Sequence, residues 1–467
     1  MALGKDRRPK QSESDVNRSR RRGEWAARNR EPALDAMLAE DARLFLHQSV
    51  STPCLSAIRK AEGIWIEDVA GRRYMDFHGN NVHHIGYGHP RLIAAIKRQL
   101  DDLPFTPRRF TSEPAISLAR KLTTIAPGSL EKVLFTTGGS DAVEVALKLA
   151  RAKTRRHKTV SFWDSFHGAG FGAASVGGEQ LFRSGPIGPL LSGTEHAAPF
   201  ACYRCPYGYP ERDGKPDLAL CRMACASYVS YVLEREGDVA AVIAEPARAV
   251  PHLAPPGYWQ AVRAACDRHG ALLIFDEIPT SLGKTGRMFA CEHEGVPPDI
   301  LVLGKSLGGG VLPIAAVLCR ADLDVAGDWA FGHYTHEKNP VTARAALTTI
   351  EIIEEEGLVE NARDIGDFAL ARLQEMKSRH PLIGDVRGRG CLIGVELVED
   401  RASKEPANDA AEDVLYRSLD RGLSFKTTMG NVLTLTPPLV TTRAQMEAAL
   451  DILETAIAEA GRAAGLE

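Results

Sequence analysis

Apolar and polar positions fall into two rhythms along this chain. In its middle, short apolar runs are separated by stretches with helical spacing: Val133-Leu134-Phe135, Thr159-Val160-Ser161-Phe162, Val239-Ala240-Ala241-Val242-Ile243-Ala244, Leu272-Leu273-Ile274-Phe275 and Ile300-Leu301-Val302-Leu303. Runs without alternation read as strands buried on both faces, so the pattern predicts an α/β sheet, mainly parallel, covered by helices. Nearer the start, Gly63-Ile64-Trp65-Ile66-Glu67-Asp68 and Arg73-Tyr74-Met75-Asp76-Phe77 alternate around Ala70-Gly71 as a hairpin does. Toward the end the pattern predicts a helix over 342–355, strands around Gly394-Val395-Glu396-Leu397 and Asn431-Val432-Leu433-Thr434-Leu435, and an amphipathic helix after Thr442. The two ends together predict a smaller domain. The expected boundaries are a basic, solvated tail over 1–30, the first part of the small domain over 31–95, a large domain over 96–345 and the rest of the small domain over 346–467.

Open sheets of this kind bind ligands at the carboxyl ends of their strands. Standing there are Gly138-Gly139-Ser140, Phe166-His167-Gly168, Glu245, Asp276 and Lys305. Lys305 lies in a glycine-rich turn, Gly304 to Gly310, straight after a buried run, where an amine is desolvated and forms an imine with an aldehyde cofactor. Asp276 closes a wholly apolar run, and a lone carboxylate there is costly unless a protonated ring nitrogen faces it. An aspartate that caps a helix is the plainer reading of that position. Gly138-Gly139-Ser140 opens a strong helical pattern, and backbone N–H groups at a helix start cradle phosphate, although most such turns only cap helices. Phe166 has an aromatic face for a flat ring, or is a core side chain.

Composition narrows the class. Of the 467 residues 44% are hydrophobic and 25% charged, with a formal net charge of -3, so nothing draws the chain to nucleic acid or membrane. A small-molecule substrate is expected. No apolar run approaches about 18 residues and the start lacks a secretory core, which predicts a cytoplasmic protein. Four of the nine cysteines are grouped, Cys202 and Cys205 followed by Cys221 and Cys225. That spacing suits a structural zinc ion, and reduced thiols in an insertion are the alternative. No metal is assigned to the chemical site.

Taken together, the segments around Gly139, Phe166, Asp276 and Lys305 resemble the class III aminotransferases, fold-type I enzymes of pyridoxal 5'-phosphate (PLP), from about residue 45 onward. The resemblance implies a large domain with a mainly parallel sheet plus a smaller α+β domain built from both termini. It implies Lys305 as the Schiff-base lysine, Asp276 as the partner of the pyridinium, Gly139 and Ser140 as the phosphate cradle, and Phe166 and Ile278 on opposite ring faces, with Glu245 nearby. Thr335 matches a threonine that reaches the phosphate of the neighbouring subunit, which implies a homodimer with shared sites.

Departures from the family pattern concern the substrate. The family arginine that binds a carboxylate before Pro437-Pro438 is replaced by Thr434, which makes no bidentate ionic pair, and Glu245 loses its expected partner. Pro279 stands where a glutamine is usual, and it has no N–H to offer. Arg248 follows Glu245-Pro246-Ala247, either as a new anion contact or paired with Glu245. One family subgroup shares these features, the PLP lyases of aminophosphonate and phosphoamine breakdown. The shared stretches are Phe45 to Ser49, Ser51 to Leu55, Met75 to His83, Pro107-Arg108-Arg109-Phe110-Thr111 and Tyr334 to Lys338. The expected activity is therefore a lyase for a small amine with an acidic group, in which Arg248, Arg109, Asn80 and Thr434 meet substrate and Lys305 is the base. The alternatives are an ω-aminotransferase and a non-catalytic PLP-binding regulatory protein.

Overall fold

The computed structural model describes residues 19–48, 54–212 and 215–466. Residues 1–18 of the basic tail, Ser49 and Ser51-Thr52-Pro53 of the lyase-like motifs, and Gly214 beside the cysteines lie outside the described residues. The chain divides into two compact units. One holds the residues up to Gly79, Gly86–His89 and those from Asn361 on; the other holds Asn80–Ile85 and Pro90–Glu360.

The second unit is built on a seven-stranded sheet. Its order is Lys132–Thr136, Ala315–Cys319, Ile300–Leu303, Leu272–Asp276, Val239–Ala244, Lys158–Phe162 and Thr194–Ala197. The five strands from Ile300–Leu303 outward to Thr194–Ala197 run parallel, and Ala315–Cys319 is antiparallel to both its neighbours. The central strands Val239–Ala244, Leu272–Asp276 and Ile300–Leu303 are buried at every position, which is why they read as unbroken apolar runs. The helix Gly139–Thr154 packs Ala142, Val143, Ala146 and Ala150 on this sheet; its small residues allow a close approach.

The helix Pro340–Glu355 also belongs to this unit, packed on Pro90–Asp102 and Glu113–Ile125. A boundary at 345 would cut it. The Asn339 side chain caps it by accepting from the Val341 and Thr342 amides at 2.9 and 3.1 Å, so it starts cleanly and continues as one element. Pro90–Asp102 likewise starts in this unit rather than at its edge.

In the first unit, strands Ile58–Glu62, Trp65–Asp68 and Arg73–Asp76 form a meander that Leu423–Ser424 joins in parallel beside Met75 and Asp76. A second sheet holds Ile383–Arg389, Leu392–Asp400, Val432–Leu435 and Lys426–Thr428. The helix Arg443–Ala463 starts on a reciprocal cap in which Thr442 accepts from the Gln445 amide and Gln445 accepts from that of Thr442. The stretch expected to remain a solvated tail up to residue 30 departs from that expectation. Arg20–Asn29 is a helix whose Trp25 is 2% exposed, packed on Tyr416 with ring centroids 6.4 Å apart and with the Arg72 guanidinium 5.3 Å from its ring. One buried indole outweighs the surrounding charge.

Among the described residues no helix is long and apolar enough to cross a membrane.

Candidate active site

Four loops at the strand ends of the second unit meet through short contacts. Asp276 ends its strand 1% exposed, and Oδ2 is paired with His167 Nδ1 at 2.8 Å while Oδ1 accepts from the Ile278 amide at 3.0 Å. Those bonds fix the carboxylate plane. His167, itself 2% exposed, was quoted in the sequence only as part of a loop, and its partner lies 109 positions away. A strand-end histidine beside a strand-end aspartate was the available signal.

The loop carrying His167 touches the glycine turn directly. Ser140 Oγ accepts from the Ala169 amide at 3.0 Å, and Gly168, at φ 133°, leaves room where a Cβ would stand 2.9 Å from Ser140 Cα. On the other side Ile278 fills the space above Gly139 and Gly304: a Cβ on Gly139 would meet it at 2.7 Å and one on Gly304 at 3.3 Å. Phe166 packs on Phe182, with centroids 4.7 Å apart.

Lys305 follows Gly304 and takes φ 46°, a left-handed conformation that costs a residue with a Cβ about 1–3 kcal/mol and is held by the surrounding turn. It shares a cavity of about 280 Å³ with Thr137, Gly138, Gly139 and Val82. No side-chain hydrogen bond or ion pair engages the Lys305 amine among the described residues.

These residues fit PLP. Gly138 and Gly139 start a 16-residue helix with no side chain capping it, so the first amides are open to a phosphate. A pinned buried carboxylate suits a ring N–H, and an amine in the same cavity suits the aldehyde.

Around this centre the structure separates the remaining candidates. Glu245 is buried and its Oε2 accepts from the Ala249 amide at 2.7 Å. Arg248 is 4% exposed, and its guanidinium donates to the backbone carbonyl of Asp164; it forms no ion pair with Glu245 or with any other described carboxylate. Asn80 is exposed at φ 47°. Thr335 is exposed on this chain, as is Arg109, while the neighbouring Arg108 pairs with Glu337 at 3.2 Å.

Thr434 belongs to the first unit, wholly buried, its hydroxyl 2.8 Å from that of Thr428. Directly across the strand pair from Thr434 stands Lys426, 6% exposed, a buried cation that the sequence reading passed over. Its signal was a lysine inside the alternating run Phe425-Lys426-Thr427.

Beside Asp276, Glu277 accepts from the Ala290 and Cys291 amides at 2.6 and 2.7 Å, and burial raises its carboxyl to about 7. It ties down the loop that follows the strand.

Comparison with known proteins agrees with this geometry. The family described as Aminotransferase class-III matches residues 47–457. The chain is 46% identical to an (R)-1-hydroxy-2-aminoethylphosphonate ammonia-lyase of Vibrio splendidus, covering 96% of this chain and 95% of that one. It is 40% identical to a leucine/methionine racemase of Thermococcus litoralis, over 90% and 94% of the two. A solved ω-transaminase of Pseudomonas jessenii in complex with PMP superposes with a TM-score of 0.86 at 29% identity, covering 92% of this chain and 99% of that one. The chain therefore belongs to the class III aminotransferase family, and it is a fold-type I enzyme whose cofactor is pyridoxal 5'-phosphate.

Proposed function

We propose that this enzyme is a carbon–nitrogen lyase that releases ammonia from a small hydroxylated amino-phosphonate such as (R)-1-hydroxy-2-aminoethylphosphonate, giving phosphonoacetaldehyde. The observation that carries the reading is the 46% identity, along nearly the whole chain, to the Vibrio splendidus ammonia-lyase. The net reaction balances: the substrate divides into the aldehyde and ammonia, one water leaving with the hydroxyl and one entering at hydrolysis.

PLP, when bound, supplies an electron sink for the carbon that carries the amine. Lys305 would hold the cofactor through its amine, and the same amine, when free, is the group that would take a proton from the substrate; its lack of a side-chain partner among the described residues and its place in the cavity support both roles. Asp276, held in position by His167, would pair with the protonated ring nitrogen. Gly139 and Ser140 would hold the phosphate from the start of their helix, with Phe166 and Ile278 available to the two faces of the ring. Thr335, exposed on one chain, completes the phosphate site of a partner in a homodimer with shared sites. Glu245 orders the turn that carries Arg248 through the Ala249 amide.

Arg248 is the group we assign to the phosphonate. A buried guanidinium whose acceptor is one backbone carbonyl retains donors for an anion, and a planar fork suits phosphonate oxygens. Asn80 and Arg109, both exposed, are assigned to the same substrate.

The test is steady ammonia release from the amino-phosphonate alone, with no oxo-acid present. An aminotransferase, the second reading that the ω-transaminase likeness favours, stops after one equivalent without an acceptor. Arg248→Gln should lower kcat/KM for the phosphonate by about 2–4 kcal/mol while the cofactor spectrum is kept. Activity that depends on an oxo-acid, with no ammonia released in its absence, overturns the lyase reading.

A further inference from the structure

Between the edge strand Thr194–Ala197 and the helix Ala224–Glu236 the chain makes an excursion with little regular structure. It holds a single turn at Cys202–Arg204, a hairpin of Glu211–Arg212 with Lys215–Pro216, and a four-residue helix Leu218–Cys221. Of its described aromatic and aliphatic side chains from 200 to 223, only Phe200 and Tyr203 are counted as buried. Phe200 anchors it on Tyr258 and Trp259, and a segment with so few buried side chains gains most from a cross-link or a metal.

Four thiols stand where that cross-link is missing. Cys202, Cys205, Cys221 and Cys225 are free, each half-buried, and all four line one cavity of about 30 Å³, with Tyr207 and Met223 in its walls. The volume is that of a single water-sized occupant.

The backbone brings them there by two tight turns. Gly208, at φ 75°, donates to the Cys205 carbonyl at 3.0 Å and folds Cys205-Pro206-Tyr207-Gly208 back on itself. Arg222 and Met223 take φ 47° and 50° in succession, a strained pair of left-handed residues that returns Cys225 to the first turn of its helix, beside Cys221. Among the described residues no three histidine, cysteine or acidic groups are already drawn together as a metal-binding set, so the four sulfurs line the cavity without closing on its centre.

We propose that Cys202, Cys205, Cys221 and Cys225 close on one zinc ion, a tetrahedral all-thiolate site that braces this excursion and takes no part in the chemistry at Lys305. The spacing, two residues within the first pair and three within the second, is that of paired zinc ligands. Four Zn–S bonds form as four thiol protons leave to solvent, with no change of oxidation state. Two disulfides would also cross-link the segment, and the experiment separates the two.

The full-length holoenzyme, purified without a metal-chelating tag, is analysed for metal by mass spectrometry and for thiols with an organomercurial in the presence of a zinc indicator. The expected result is about one zinc per chain, released in step with mercurial addition, and a lower thermal midpoint once it is stripped. Cys202→Ser with Cys205→Ser should retain less than about a tenth of the zinc. If that variant does not fold, the release titration on the unaltered protein still decides the matter. Protein with no bound zinc and nine titratable thiols, one that carries another metal there, or one whose four cysteines map as disulfides overturns the proposal.

Discussion

At the scale of single residues, the site rests on contacts that leave no slack. Lys305→Ala removes the amine from the cavity, and turnover should vanish together with the visible band of the bound cofactor. A retained band in dialysed protein would contradict the assignment. Gly168→Ala is a sharper probe, because the new methyl would stand 2.5 Å from Ser140 Oγ and 2.9 Å from its Cα on a backbone at φ 133°. Either the start of the long helix or the loop of His167 must yield, so cofactor retention through dialysis should fall, by at least about tenfold for a strain of roughly 1.4 kcal/mol or more. Thr434→Arg places a guanidinium at a position with no exposure, directly across from Lys426. Like charges facing each other across a strand pair destabilise. The expected outcome is a lower thermal midpoint, and carboxylate amines should not become good substrates.

Elements carry a different lesson, because what was legible in the sequence was what repeats locally. The five apolar runs of the sheet, the hairpin and the capped final helix are periodic over a few residues, and each chemically useful group stands within a few residues after a run. Ala315–Cys319 was missed because it follows only four residues after the glycine turn of Lys305, and no local pattern records that a strand joins a parallel sheet in the opposite direction. The pair of His167 and Asp276 was missed for a related reason: the chain has no short-range record of a contact across 109 positions. Arg20–Asn29 was misread because arginines dominate its composition, whereas one indole decides its fate. Trp25→Ala should cost about 3–5 kcal/mol in chemical denaturation, as large aromatic truncations in cores do. A cost within about 0.5 kcal/mol would place this helix back among solvated segments.

For the whole molecule, acid is the expected point of failure. His196 stacks on Trp163 at 4.6 Å, with Arg183 Nη1 at 2.9 Å from its Nε2, and burial, then that guanidinium, lower it to about 4. His84 is lowered further by burial, with Lys284 and His83 adding to it. A histidine held low in the fold binds its proton more readily when unfolded. Its contribution is therefore complete above about pH 6.5 and is lost as pH falls toward 4. His196, being only half-buried, accounts for about 1 kcal/mol of that loss by pH 5, and His196→Asn should flatten the fall of the thermal midpoint between pH 7 and 5. A second consequence concerns synthesis. Strand Arg73–Asp76 finds its parallel neighbour in Leu423–Ser424, so the meander emerges from the ribosome long before the segment that covers its open edge. The unit containing Lys305 is translated in between and has all its strands by Cys319, so it is free to fold while the earlier strands still wait. An unpaired strand edge invites association with other chains, and a messenger truncated before codon 423 would therefore yield a catalytic unit carrying an adhesive one.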